Sequence, residues 1–195
     1  MLTTTKSIII SLMLSLAALS VGIWIFMYSP LGMGGLRAIA PMAQLPDTLD
    51  SPSIEVYRQV IENMGENGRK FYLHNIRMID TVFPFLYTLP LYILLSAATR
   101  RVFRRPFIQH SIPIMAFIPA IFDLIENHYI HKLVHDFPHL HQYIVENALL
   151  FTKAKAITRD YIFYIILIYW TTIGILTFIK YLRRRINCGK RNACY

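Results

Sequence analysis

Ile112-Pro113-Ile114-Met115-Ala116-Phe117-Ile118-Pro119-Ala120-Ile121-Phe122 runs without a polar side chain, then continues as Asp123-Leu124-Ile125-Glu126-Asn127-His128-Tyr129-Ile130-His131 towards His135. The first half has the composition of a membrane-spanning helix. The second half keeps helical spacing but places two acids and an amide where such a helix would still be in lipid. Acids there cost about 2.5–3.5 kcal/mol each on insertion scales, so they face a partner or a wet cavity. With Asp123 at zero and a turn of about 100° per residue, Glu126 falls at about −60° and Asn127 at about +40°. The three share one face. His131, His135 and His128 follow at about +80°, +120° and +140°. A carboxylate–amide face therefore runs into a histidine face. Phe117, Ile121 and Leu124 are left to meet lipid or apolar neighbours.

The flanking sequence supplies the bundle that such a helix needs. Hydrophobic residues make up 55% of the 195, and the mean hydropathy is +0.42, too apolar for an ordinary soluble domain of this length. Four apolar runs account for it, at about 8–28, 81–98, 111–130 and 161–179. The first carries no charge and follows Lys6; it exceeds the h-region of a cleaved signal, and its small-x-small site, Ala38-Ile39-Ala40, is followed by Pro41. It is read as an uncleaved span. The second holds Pro84 and Pro90, which membrane helices tolerate when neighbours satisfy the freed carbonyls. The expected fold class is all-α: a polytopic membrane protein forming a single membrane domain over 1–195, with four transmembrane helices and an amphipathic helical segment in an exported loop, 29–80.

Within that loop, Ser51-Pro52 reads as N-cap and first position of a helix. Ile54, Tyr57, Val60 and Ile61 recur at helical spacing, and Gly65 ends the run. This helix is expected to lie at the membrane surface or to cap the bundle. A second short helix, over 69–80, leads into the second span. Residues 100–110 form a short basic loop, 132–146 a polar connector, and 148–157 an interfacial helix or an early extension of the last span.

Charge orients the spans. The formal net charge is +9, with a pI near 9.7. The N-terminus, the 100–110 loop and the 180–195 tail hold 11 Lys/Arg and no acids, whereas 29–80 holds five Lys/Arg against six acids. The positive-inside rule puts both termini and the arginine loop in the cytoplasm, with 180–195 as a basic cytoplasmic tail, so the chain is expected to be multi-pass with both termini cytoplasmic. The same flanking pattern explains the basic residues without nucleic acid, for which no motif is present. Cys188 and Cys194 have no zinc spacing and read as reduced thiols.

Polar residues at matching depth identify a candidate pocket near the outer face. Asp123 and Glu126 are too close to both remain charged without a cation. Arg69, His74 and Asp80 lead into the second span, and Lys155 precedes the fourth. Tyr87 lies two turns after Asp80 on the same face. The expected site is therefore Asp123 and Glu126 as acid and base, with Asn127, Asp80, His74, Arg69, Tyr87 and Lys155 around them. The same residues would equally serve to hold helices in register. His128, His131 and His135 are the only residues that suggest a metal, yet no catalytic spacing accompanies them; they read as connector histidines, and no metal or cofactor is expected. Three functions fit. The pocket would bind or act on a lipidic ligand; the chain would be a structural or accessory subunit of a larger membrane complex; or it would be a component of a proton-coupled transporter, against which the wholly apolar Ile112–Phe122 run counts. Membrane lipids and a homo-oligomeric or complex partner are the expected interactions.

Gly68-Arg69-x-x-Tyr72, Asp80 with Phe83-Pro84 and Tyr87, Ile112-Pro113, Phe122-Asp123-x-x-Glu126-Asn127 and Lys155 together resemble a group of uncharacterised bacterial four-helix inner-membrane proteins. The similarity covers roughly 58–181, and its most specific part is the Phe-Asp-x-x-Glu-Asn element. The architecture also resembles the sterol-isomerase and sigma-2-receptor superfamily, small helical bundles with acids facing a lipid-sized cavity. That likeness carries no residue roles.

Overall fold

A computed structural model describes residues 5–46, 49 and 53–192, with side chains from 6 to 183. Among them 88% of the chain is helical and no strand occurs. Four helical segments are long and apolar enough to cross a membrane: Lys6–Ile39, Gly65–Val102, Pro106–Asp136 and Gln142–Arg183. Each extends the apolar run that marks it, because polar flanks continue the helices beyond the lipid-compatible core.

Helix α1 (Thr5–Tyr28) carries no charge after Lys6 and is followed by the short α2 (Met33–Ile39). Helix α3 (Ile54–Asn63) starts behind Ser53, whose hydroxyl accepts from the Val56 N–H at 3.4 Å. Ser53 thus holds the capping role expected of Ser51; Ser51 and Pro52 themselves lie outside the described residues. Gly65, at φ +63°, separates α3 from α4 (Gly65–Phe71). A side chain in this left-handed conformation meets steric resistance even though nothing lies within 4 Å of a Cβ. Gly65→Ala is therefore expected to cost about 1–2 kcal/mol in thermal unfolding followed by circular dichroism.

A π turn (Tyr72–Ile76) joins α4 to α5 (Arg77–Val102), which passes through Pro84 and Pro90. The basic loop expected over 100–110 shrinks to residues 103–105. Arg100 and Arg101 close the last turn of α5, where cations suit the helix dipole, and Pro106 opens α6 (Pro106–Ile114). The third span is not one helix. Pro113 and Pro119 bracket a 3₁₀ turn, Met115–Phe117, before α7 (Ile118–Asp136). A proline removes one N–H and crowds the preceding turn, so two of them six residues apart break the ladder. Residues 137–141 lead into α8 (Gln142–Asn192). The half-apolar stretch 148–157 is an early extension of the last span. No proline falls between 142 and 192, and a helix of this length reaches about 75 Å. That is more than twice the thickness of a hydrocarbon core of about 30 Å.

Two cores result. The larger joins Leu36 of α2, Tyr57 and Ile61 of α3, Tyr72 and Ile76 of the π turn, Leu133 of α7 and Ile144 of α8. It is a compact cap, and α3 covers the bundle end with the face that its periodicity marks. The smaller joins Leu95 of α5 to Ile162 and Ile166 of α8. Phe26 meets Phe83, which makes α1 antiparallel to α5 together with the approach of Gly22 to Leu86. Tyr92 meets Phe117 while Tyr87 meets Asp123, so α7 runs antiparallel to α5. Many apolar side chains of α1 and of α8 beyond Tyr161 are exposed. Such faces are costly in water and suited to lipid.

Candidate functional site

Asp123, Glu126 and Asn127 project from α7 as one face, as helical phase requires; the two acids share Lys155, while Asn127 turns to backbone. Asp123 bridges two helices. Its Oδ2 accepts from the Tyr87 hydroxyl of α5 at 2.9 Å, and its Oδ1 lies 3.2 Å from Lys155 Nζ of α8. Glu126 is 0% exposed. Its Oε1 accepts from Thr152 Oγ1 at 2.6 Å, and its Oε2 ion-pairs with Lys155 and has no other partner. One ammonium thus serves two carboxylates, which makes Lys155 the counter-charge of the site. Thr152 was not apparent from the sequence as a site residue; its signal is its position three residues before Lys155, hence on the same face of α8.

Asn127 has a backbone role. Pro84 has no N–H, so it leaves the carbonyl of Asp80, four residues earlier, without its helical partner. Asn127 Nδ2 donates to that carbonyl at 3.0 Å. The proline-freed acceptor is satisfied across the α5–α7 contact, the arrangement that lets a spanning helix carry a proline.

Beside these groups lies a cavity of about 690 Å³ between α1, α5, α7 and α8. Asp80, Tyr87, Asp123, Asn127, Lys155, Arg159 and Asp160 form its polar end, where Phe83 also packs on Tyr87, and Leu16, Leu19, Leu91, Leu94 and Phe163 line its apolar end. Arg159 and Asp160 pair with each other at 3.2 Å on the exposed rim. Glu126 does not line the cavity. It sits behind Lys155, so of the two acids expected to act as acid and base only Asp123 reaches the space where a ligand would sit.

Arg69 and His74 are not drawn into this site. Arg69 belongs to the cap, where its Nη1 donates to the Ile61 carbonyl at 3.5 Å and its guanidinium lies over the Phe137 ring at 4.6 Å. His74 is exposed within the π turn. The histidine face also separates. His128 contacts the Tyr129 ring, His131 is buried edge-on to Tyr72, and His135 Nδ1 lies 2.9 Å from Asp136 Oδ1 at the surface. Among the described residues no three His, Cys, Asp or Glu side chains converge as metal ligands would.

The site as built offers hydrogen-bonded carboxylates, an ammonium shared between two of them and a rim ion pair above an apolar chamber. No protein-family model, curated protein or solved structure matches this chain.

Proposed function

We propose that the chain is a multi-pass membrane protein whose cavity binds an amphipathic lipid, the polar head against Asp123 and Lys155 and the chain among Leu19, Leu91, Leu94 and Phe163. The observation that carries this reading is the segregation of the cavity lining into a charged end and an apolar end within one space of about 690 Å³. Pockets of this size hold small organic molecules, and a split lining fits a molecule that is itself split. In this reading the inner membrane of a bacterium holds the protein with both termini and the arginine-rich turn cytoplasmic, because the acid-free basic segments fall at that end. Lys155 stands six residues before the 161–179 run, about 9 Å along the helix, which is headgroup rather than hydrocarbon depth.

Binding is preferred to proton transport because the deep end of the cavity is apolar and gives a proton no relay. If chemistry occurs, Asp123 is the group placed to move a proton, with Tyr87 as its hydrogen-bond partner. Glu126 would then be a positioning residue that holds Lys155 in place. An accessory role in a larger complex is the alternative outcome of the test. Leu19→Trp fills the apolar end from α1. Displacing about two methylenes of a bound chain is expected to lower retention of co-purified lipid about tenfold in native mass spectrometry, with the fold intact by circular dichroism. Wild-type protein that retains no lipid at this site, and gains no thermal stability from added lipid, would instead favour the accessory role.

A further inference from the structure

A second concavity lies at the opposite end of the bundle, where the last turn of α5 meets the C-terminal half of α8. It is an open groove of about 540 Å³ lined by Arg101, Trp170, Gly174, Thr177 and Phe178 among others. Three features set its chemistry. The Arg101 guanidinium lies over the Trp170 ring, 5.1 Å from its centroid, and is exposed. Cation–π attraction holds the guanidinium at the groove, and its exposed N–H groups suit bidentate contact with an anion. No carboxylate pairs with it among the described residues. Gly174 supplies the floor: a Cβ there would meet nothing within 4 Å, so the notch is open space. The walls, Trp170 and Phe178, are apolar and aromatic, and the neighbouring chain adds Arg104, Arg105, Lys180 and Arg183 with no acid.

We propose that this groove is a binding site for an anionic glycerophospholipid, with its phosphate on Arg101 and an acyl chain along Trp170 and Phe178. An apolar-walled groove with a positively charged, orientable rim at a helix end complements a molecule that is anionic at one end and hydrocarbon at the other. Zwitterionic lipid offers the same chain but no net charge, so charge complementarity selects the anionic class. The site is separate from the cavity under the cap, and neither depends on the other.

Trp24 and Trp170 are the two tryptophans of the chain, so Trp24→Phe leaves Trp170 as a reporter inside the groove. The full-length protein is reconstituted in vesicles of phosphatidylcholine and phosphatidylglycerol, with brominated acyl chains on one lipid or the other. At about 0.5 M salt the diffuse attraction of the arginine cluster is screened to within a few ångströms, while a direct contact persists. Brominated phosphatidylglycerol is then expected to quench Trp170 with an apparent affinity about tenfold above that of the brominated choline lipid. Arg101→Gln is expected to abolish that preference. Gly174→Leu, which leaves every charge in place and adds a side chain only where there is room, is expected to do the same. Arg104→Gln is expected to leave it unchanged. Equal quenching by both lipids overturns the site, as does a loss of preference with Arg104→Gln equal to that with Arg101→Gln, or a preference that survives Gly174→Leu.

Discussion

Lys155→Met is expected to destabilise the protein by about 3–5 kcal/mol, the largest effect of any single substitution considered, because it strands two carboxylates at once. Glu126 has no route to water, and its Oε2 has no partner other than Lys155. Without the ammonium, Glu126 would keep one hydrogen bond from Thr152 and Asp123 one from Tyr87. Both acids would have to take up protons or admit water to remain buried. The measurement is thermal unfolding in lipid nanodiscs. A second variant gives the loss its meaning. Lys155→Met combined with Glu126→Leu removes the fully buried charge together with its partner and is expected to recover a large part of the stability, since replacing a buried ion pair by apolar side chains is often neutral. If the double variant is no more stable than the single one, Glu126 is not the group that Lys155 serves.

Asp123→Asn is expected to act on the ligand rather than on the fold. Asparagine keeps the size of the side chain and an oxygen that still accepts from Tyr87, while Lys155 retains Glu126. Stability should therefore change little. What disappears is a cavity-facing carboxylate that Tyr87 and Lys155 hold by its two oxygens. A hydrogen bond to a charged group contributes about 1.5–3 kcal/mol, which corresponds to roughly 10- to 150-fold in affinity. Native mass spectrometry of the variant with its co-purified lipid measures that loss directly. A variant that retains lipid like the wild type would remove Asp123 from the binding site and leave it as a strut between α5 and α8. The pair of predictions separates the two acids: one neutralises a buried lysine and the other meets the cavity.

Much of this was legible in the residues. Four apolar runs of spanning length, and polar residues of α7 confined to one face, follow from rise per residue and from the angle between successive side chains. Both are local properties, so Asp123, Glu126 and Asn127 could be grouped without knowing any neighbour. Matching depth on adjacent spans then brought in Tyr87, Lys155 and Asp80. Depth proved insufficient for Arg69 and His74. His74 lies within the π turn at Tyr72–Ile76 and is exposed, and Arg69 lies upstream of that turn in α4, which packs into the cap.

The division of labour within the cluster belongs to the tertiary structure alone. Glu126 and Asp123 are both acids on one face, and only the approach of α8 buries the first behind Lys155 and leaves the second on the cavity wall. Asn127 lines the cavity as its face implies, but its hydrogen-bond partner is a carbonyl on α5 made vacant by a proline 43 residues earlier. The stretch from Ile112 to His135 also read as one helix, and the two prolines within it bracket a 3₁₀ break between α6 and α7. Periodicity and hydropathy report how a segment meets an average environment, lipid or water. Which carboxylate meets which lysine depends on the register between helices, and register is set by side chains far apart in the chain.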